Sequence, residues 1–358
     1  MGMQLNLLNL REIKEVCMPE RARLTMRDVA RLAGVSTSTV SAVINDTVTV
    51  SPKRKSRVLA AMSALDYHPD AIARSLKTGR SNAIGVVVPD ITNAFYPEVI
   101  RGAEEAAQAA GYSVLLCDSN EESAVEDRHL SALFSRRVDG VLLACCVNSR
   151  AHELVARRHI PVVFIDRLPP SMAVNTVSTD NLRAGQSAAE HLIGLGHKRI
   201  GMLAGHLDLT PHRDRLEGFR KAMQEAHLPI LDEYLLSGNV QVEDGFEAGH
   251  RLLDLPVPPT AIMASNNKLL LGVLQAVDER KMNVPRDLSV LGFDDYLWLN
   301  YFNPTLTAVA QHSHEIGEKA FELLLQLILQ PEGEKNPPIH IRIPAELRVR
   351  NSTAPPQR

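Results

Sequence analysis

Residues Thr25 to Asn45 read TMRDVARLAGVSTSTVSAVIN, and this stretch predicts two short helices separated by a tight turn. Val29, Ala30 and Leu32 have the spacing of an apolar face on the first helix. Gly34 stands where that helix would end, and a helix end favours a residue that adopts the left-handed conformation without strain. The chain is therefore expected to turn sharply here and to enter a second helix.

The second helix is predicted to run from Thr37 to Ile44, with the side chain of Ser36 as its cap. Val40, Val43 and Ile44 give it one buried face, and the outward positions carry small side chains. A helix with a small outer face fits deep in the major groove of DNA. The pair therefore predicts a helix-turn-helix, and a plain helical hairpin is the alternative.

Charge is distributed unevenly along the 358 residues. The whole chain has a formal net charge of −3, but residues 25–80 carry nine Lys or Arg and only four Asp or Glu. That segment therefore has a net charge of +5, and the residues that follow it carry a net negative charge. A basic segment on an acidic body favours polyanion binding by the basic segment alone.

Composition predicts a water-soluble chain of two or three domains, with 45% hydrophobic and 23% charged residues. No apolar run approaches the roughly 20 residues that span a membrane. Residues 1–24 lack the apolar core of a signal peptide and are expected to be an extension, whose order stays open. Cys17, Cys117, Cys145 and Cys146 have no metal-ligand spacing, so we expect a reduced, cytoplasmic protein without a metal site.

Short apolar runs alternate with amphipathic helical segments from residue 83 onward. The first run is Ala83–Pro89 (AIGVVVP), and the alternation restarts near Asn181. This pattern predicts parallel sheets with helices on both faces. We therefore expect an α/β core of two doubly wound lobes behind an all-α head. Because ligands of such sheets bind beyond the carboxyl ends of the strands, the expected pocket is a cleft between the lobes.

Several motifs together resemble the lactose-repressor (LacI/GalR) family of bacterial transcription regulators. The resemblance covers about residues 25–350. It implies a helix-turn-helix head over residues 25–68, a hinge helix and linker over residues 69–82, and a ligand-binding and dimerisation core over residues 83–350, like a periplasmic sugar-binding protein. The motifs are Asp28 to Asn45 (DVARLAGVSTSTVSAVIN), Tyr67 to Leu76 (YHPDAIARSL), Gly85 to Tyr96 (GVVVPDITNAFY), His191 to Gly201 (HLIGLGHKRIG), Arg215 to Phe219 (RLEGF), Ser289 to Asp295 (SVLGFDD) and Pro304 to Ala308 (PTLTA).

The resemblance also implies that the chain crosses between the lobes three times. We expect the crossings near Asp166–Pro169, Phe293–Asp295 and Asn303–Thr305. The lobes would then comprise about residues 83–166 and 294–304 (N-lobe) and about residues 167–293 and 305–350 (C-lobe).

In this family the outer face of the second helix reads operator bases. The matching positions here are Thr37, Ser38 and Ala42, whereas Thr39 and Ser41 are better placed for phosphates. These five residues are therefore the expected DNA contacts of the head.

The hinge segment Asp70–Lys77 is too short to form a stable helix alone. The resemblance implies that it folds on double-stranded DNA, paired with its twin in a homodimer. Leu76 would then insert into the minor groove at the centre of a palindromic operator, with Ala73 packed beside it.

The same resemblance assigns an effector site to the cleft. Carboxylates and amides can bond paired hydroxyls, and aromatic rings can stack on sugar faces. Asp166 could instead serve only the backbone of a crossing, and Phe95 or Tyr96 could be core residues. The candidate residues are Asn93, Phe95, Tyr96, Asp166, Arg167, Arg215, Asn266, Asp294 and Trp298.

The chain departs from the family pattern at two places in the cleft. Asn266-Asn267-Lys268 stands where the family often has Asn-Asp. Val240 falls where several relatives have a stacking aromatic, which Trp298 could supply from another side. A cationic group could favour an anionic ligand such as a sugar acid or sugar phosphate. Its members are Arg167, Arg213, Arg215 and Lys268.

We therefore predict a homodimeric repressor of a carbohydrate-use operon that acts on the nucleoid and is controlled by a sugar, sugar acid or sugar phosphate. The effector's identity and the choice between inducer and corepressor stay open. The alternative is a sugar-binding or transport protein, against which the head argues. No G-x-G-x-x-G, phosphate-loop or nucleophile motif is evident, so we expect no catalytic residue and no cofactor.

Overall fold

The computed structural model describes residues 24–45, 49–67, 80–158, 160–168, 174–331 and 336–357. The chain divides into two compact units, Met1–Ser81 and Asn82–Arg358. The predicted hinge helix, with Ala73 and Leu76, lies outside the described residues, as does the extension before residue 24.

The regular secondary structure described in the first unit is helical, and Val29, Val40 and Val58 are fully buried among its helices. Leu32 was expected in this core but is 56% exposed, and Ala33 is buried instead. Ala33 follows Val29 by four residues and therefore shares its face of the helix. The helices are α1 (Met26–Ala33), α2 (Thr37–Asn45) and α3 (Pro52–Ala64).

Two sheets of six described strands form the centre of the second unit. The first sheet contains β1 (Ala83–Val88), β2 (Ser113–Asp118), β3 (Gly140–Leu143), β4 (Val162–Ile165), β5 (Thr176–Thr179) and β11 (His340–Ile343). The second contains β6 (Ile200–Ala204), β7 (Leu235–Ser237), β8 (Ala261–Ala264), β9 (Ser289–Phe293), β10 (Thr307–Ala310) and β12 (Glu346–Arg348).

The strand order is β11-β5-β4-β3-β1-β2 in the first sheet and β12-β10-β9-β8-β6-β7 in the second. Neighbouring strands are parallel except for β10 and β12. Apolar side chains are buried on both faces of each sheet. The predicted core of two doubly wound lobes is therefore confirmed.

Helices cover these sheets, and three pairs of helices pack closely on one another: Phe95–Ala109 on Ser313–Leu329, Asn181–Gly194 on Thr210–Glu225, and Val242–Leu253 on Asn267–Glu279. In the first lobe the helices are α4 (Phe95–Ala109), α5 (Ser123–Ser135), α6 (Ala151–Arg158) and α11 (Ser313–Leu329). In the second lobe they are α7 (Asn181–Gly194), α8 (Thr210–Glu225), α9 (Val242–Leu253) and α10 (Asn267–Glu279). None of the helices in the described ranges is long and apolar enough to cross a membrane.

Glycines allow α7 and α8 to touch along their backbones. A Cβ on Gly185 would lie 2.2 Å from the carbonyl oxygen of Arg215, and a Cβ on Gly218 would lie 2.1 Å from that of Leu182. Neither position can therefore carry a side chain without separating the helices. This contact fixes α8, which carries Arg215, against the first turn of α7.

The chain passes between the lobes three times, but not where the sequence predicted. β5 and β11 pair with each other in the first sheet, and α11 packs on α4 of the same lobe. The passages therefore follow β5, β10 and β11, and the predicted crossings and lobe boundaries were wrong. The strands on either side of the first predicted crossing, β4 and β5, pair in the same sheet, so the chain does not change lobes between them.

Candidate DNA interface and effector cleft

The turn of the head has the local structure that the sequence predicted. Gly34 ends α1 in the left-handed conformation with φ of +62°. The Ser36 hydroxyl accepts a hydrogen bond from the backbone N–H of Thr39 at 3.2 Å, which caps α2. The Arg57 guanidinium of α3 donates to the carbonyl of Gly34 at 3.0 Å, so all three helices meet at this turn.

The five predicted DNA contacts of the head all lie on α2. Thr37 and Ser38 are exposed, and Thr39, Ser41 and Ala42 are partly exposed. This side of α2 carries no Arg, Lys, Asp or Glu, so it offers small hydroxyl and methyl groups. Such groups can read base edges only at close approach.

The cleft between the two lobes of the core contains a narrow polar cavity. Its space amounts to about 500 Å³ including the opening to solvent. Most of the predicted effector residues line it. They are Asn93, Phe95, Tyr96, Asp166, Arg167, Arg215, Asn266 and Asp294.

Sequence reasoning missed several lining residues, namely Asp90, Glu121, Pro211, His212, Gln241 and Gln311. Asp90 and Glu121 follow β1 and β2 closely, so the rule that ligands bind beyond strand ends would have found them. His212 gave no such signal because it lies inside a helix, and Gln311 directly follows β10, a strand that the sequence did not predict.

Asp166 and Arg167 directly follow β4 and form a buried charged cluster with two neighbours. The Tyr96 hydroxyl donates to Asp166 Oδ2 at 3.0 Å. The Arg167 guanidinium donates to both carboxylate oxygens of Glu121, at 2.8 and 2.9 Å. Burial raises the pKa of Asp166 above its ordinary value, while Arg167 and Arg215 oppose that rise. The cluster therefore presents a carboxylate whose partners fix its orientation.

Three groups of the protein hold the side chain of Arg215 in place. Its Nε donates to Asn181 Oδ1 at 2.8 Å, and its Nη1 donates to the carbonyl of Ser265 at 2.5 Å. The centre of the guanidinium lies 4.2 Å from the centroid of the Phe293 ring. Burial lowers the pKa of Arg215, and Asp294 is the first group that opposes the shift. The remaining N–H groups of the fixed fork are available to the cavity.

Asp294 and Asn266 complete the second lobe's side of the cavity at the ends of β9 and β8. Asp294 has φ of +72°, and its Oδ1 accepts from Gln311 at 2.5 Å. Asn266 caps α10, since its Oδ1 accepts the backbone N–H of Leu269 at 2.8 Å. Both side chains are thus oriented by bonds within the protein.

Two of the three cations in the described lining have anionic partners, whereas Arg215 is bonded to neutral groups. Arg167 pairs with Glu121 at 2.8 Å, and Lys268 pairs with Asp90 at 2.7 Å. Arg213 is half-exposed, pairs with its neighbour Asp214 and does not line the cavity. The lining contains four carboxylates and three cations. This balance removes the basis for the predicted preference for an anionic ligand.

The same cavity is bordered by polar bonds that join the two lobes. Lys268 of α10 donates to Asp90, which follows β1. Asn267 donates to Asn93 Oδ1 at 3.2 Å, and the backbone N–H of Leu168 donates to the Thr210 hydroxyl at 3.1 Å. These bonds hold the cleft closed around the lining side chains.

Trp298 lies outside the cavity lining. Its ring is stacked near Tyr296, with centroids 6.3 Å apart, and lies 5.4 Å from Phe302. The aromatic part of the cavity comes instead from Phe95 and Tyr96, whose rings meet edge to face at 5.1 Å.

A helix-turn-helix unit followed by a two-lobed α/β unit with a polar interlobe cavity defines the class of ligand-responsive DNA-binding regulators. The family model "Bacterial regulatory proteins, lacI family" matches residues 25–70. The model "Periplasmic binding protein-like domain" matches residues 189–353.

One relative and two solved structures extend this match. The ribose operon repressor of Escherichia coli (strain K12) is 40% identical over 309 residues, which cover 86% of this chain and 94% of that protein. The lac repressor dimer bound to operator and the anti-inducer ONPF has a TM-score of 0.82 at 27% identity and covers 92% of this chain and 99% of that chain. A LacI family transcriptional regulator from Enterococcus faecium with bound ribose has a TM-score of 0.66 at 30% identity and covers 77% and 100%.

The chain therefore belongs to the LacI family of bacterial regulatory proteins. It is a DNA-binding transcriptional repressor with a small-molecule effector.

Proposed function

We propose that this protein represses a carbohydrate-use operon and that a neutral pentose, with ribose as the first candidate, controls it from the interlobe cavity. The donor and acceptor set carries the proposal. Asp166 and Asp294 offer carboxylates from the two lobes, and Arg167 and Arg215 offer fixed N–H groups between them. A polyol needs both kinds of partner, because each hydroxyl donates once and also accepts.

The size and charge of the cavity support a single neutral sugar ring. The space amounts to about 500 Å³ with its opening to solvent, and two of its three cations, Arg167 and Lys268, are paired with Glu121 and Asp90. An anionic ligand would have to compete with these carboxylates. The names of the relatives agree with the sugar class, since the Escherichia coli protein is a ribose operon repressor and the Enterococcus faecium structure contains ribose.

For the DNA side, we propose that a homodimer binds a palindromic operator through α2 of each head. Thr37, Ser38 and Ala42 would contact bases, and Thr39 and Ser41 would contact phosphates. Leu76, with Ala73 beside it, would insert into the minor groove at the operator centre. The lac repressor dimer on its operator supports this arrangement. We propose regulation in the cytoplasm rather than catalysis as the role of the chain.

Calorimetric titration of the full-length protein tests the effector. The panel contains D-ribose, other neutral pentoses and hexoses, a sugar acid, a sugar phosphate and a nucleoside. Tight binding of a neutral pentose is the expected result. Binding of only the anionic compounds or the nucleoside would refute the proposal. The direction in which the bound sugar changes operator affinity then distinguishes an inducer from a corepressor.

Arg215 and Arg213 provide a matched pair for the site. Arg215→Met should abolish the sugar response while operator binding persists, because it removes donors that line the cavity. Arg213→Met makes the same chemical change two residues earlier, at a half-exposed position outside the lining. It should leave the response unchanged. Equal behaviour of the two variants would remove Arg215 from the site.

A further inference from the structure

His212 is a cavity residue that neither the motif pattern nor the predicted site contains. It lies one turn before Arg215 on α8, so both side chains leave the same face of that helix. The ring is only 5% exposed and lines the cavity. Its position beside the guanidinium raises the question of which ring nitrogen carries the hydrogen.

The hydrogen bonds of Ser265 answer that question. Ser265 Oγ accepts the backbone N–H of Gly205 at 3.0 Å and lies 3.0 Å from His212 Nδ1. Within the described ranges, the hydroxyl of Ser265 has no other acceptor for its hydrogen. It therefore donates to Nδ1, since the opposite arrangement would leave a buried hydroxyl hydrogen unpaired.

Nε2 must then carry the ring hydrogen. Among the described residues, no group accepts a hydrogen bond from Nε2. Nε2 is also not among the fully buried polar atoms that lack a hydrogen-bond partner, so it is accessible. Gly205 provides the space for this nitrogen, because a Cβ there would lie 2.7 Å from it. The Nε2–H group is thus open to the cavity.

The charge state agrees with this arrangement. Burial, followed by the nearby cations of Arg215 and Arg167, holds the pKa of His212 well below its ordinary value of 6.5. At neutral pH the ring is uncharged and has a single N–H to offer. It differs in this respect from the arginines, which present several donors each.

We propose that His212 is a specificity-determining residue that donates its Nε2–H to one oxygen of the bound sugar. The assignment rests on the proposed function. Asp166 and Asp294 require ligand hydroxyls that donate, whereas His212 requires an oxygen that accepts. Gly205 is the shared neighbour of His212 and Val240, so the imidazole stands beside the position where a stacking aromatic was expected. The ring thereby selects a sugar that places an accepting oxygen at Nε2, on the second lobe's side of the cavity.

Two substitutions separate the donor from the shape of the ring. His212→Phe keeps a flat ring and removes the donor, and His212→Gln keeps an N–H donor near Nε2. In calorimetric titration with D-ribose, His212→Phe should weaken binding about tenfold, because a buried ligand oxygen loses its partner. His212→Gln should recover most of that loss, and Arg213→Met should bind as the wild type does. Unchanged affinity in His212→Phe would overturn the proposal.

Two further measurements test whether each variant is folded and which ring nitrogen of His212 carries the hydrogen. Operator binding by each variant without sugar shows that it is folded. Long-range ¹H–¹⁵N correlation spectra of the full-length wild type, with ¹⁵N-labelled histidine, report the tautomer of His212, assigned by comparison with His212→Gln. A hydrogen on Nδ1 would overturn the inference whatever the sugar affinities of the variants. If the wild type binds no pentose, the proposed function fails, and the spectrum alone then decides which hydrogen His212 presents.

Discussion

The ion pair between Lys268 and Asp90 joins the two lobes at the edge of the cavity, and breaking it should open the cleft. Lys268 Nζ lies 2.7 Å from Asp90 Oδ2, with the side chains 21% and 15% exposed. The ammonium also donates to Gln241 in its own lobe at 3.0 Å. Lys268→Met keeps an unbranched aliphatic side chain and removes the ammonium, so it breaks the ion pair with Asp90 together with the bond to Gln241.

The magnitude follows from the burial of the two groups. Exposed pairs contribute about 0–1 kcal/mol, and breaking a buried pair costs about 3–5 kcal/mol. The pair lies between these two cases, so we expect about 1.5 kcal/mol. That changes the ratio of closed to open cleft about tenfold. The apparent dissociation constant for the sugar should rise by at most about the same factor, because it equals the intrinsic constant divided by the closed fraction.

A double-mutant cycle on sugar binding checks this value, with Lys268→Met, Asp90→Asn and the double variant. Small-angle scattering of each variant without sugar reports the opening itself. Lys319→Met is the control, because Lys319 pairs with Glu322 at 2.8 Å within a single helix of the first lobe. Additive effects in the cycle, or scattering and affinity equal to those of the wild type, would refute the assignment of a closing role to this pair.

Three further predictions concern the hinge, the helix contact and pH. Leu76→Ala should lower operator affinity at least about tenfold in fluorescence anisotropy and leave sugar binding unchanged; equal operator affinity would count against insertion. Gly218→Ala should lower the free energy of unfolding in urea by about 1–3 kcal/mol, whereas Gly194→Ala, whose Cβ would meet nothing within 4 Å, should not lower it. Because the folded pKa of His212 is depressed, the unfolded chain binds the proton first as pH falls below about 6.5. The free energy of unfolding should then drop by up to about 1.4 kcal/mol per pH unit, and His212→Gln should lack this component; identical pH profiles would contradict it.

The parts of the site that sequence predicted well all follow from local rules. Asp294 comes directly after an apolar run and Asn93 follows another one closely, and parallel strands bring their carboxyl ends to one edge of a sheet. Gly34 and Ser36 likewise act within one turn of their own helices. Local patterns of this kind do not depend on residues far away in the chain, so these features could be predicted from the sequence alone.

The parts that sequence missed depend on pairing between distant segments. β5 and β11 are short, and their pairing joins Thr176 to His340 across the length of the core. No local pattern reveals such a pairing, and the lobe boundaries were misplaced for that reason. The anion preference arose in the same way, because sequence showed Arg167 but not its partner Glu121, which is 46 residues away.

The close contact of α7 and α8 at their glycines fixes the position of the cavity residues that α8 carries. Gly185 and Gly218 bring α7 and α8 into backbone contact, and the Asn181 side chain at the start of α7 then reaches Arg215 on α8. His212 leaves the same face of α8, so its N–H is fixed by the same packing. Closure of the cleft therefore brings these oriented donors against the carboxylate cluster of the first lobe. The few bonds at the edge of the cavity then set the ratio of closed to open cleft. A substitution that separates α7 from α8 should weaken sugar binding even where no cavity residue changes, and Gly218→Ala tested in the same titration provides that comparison.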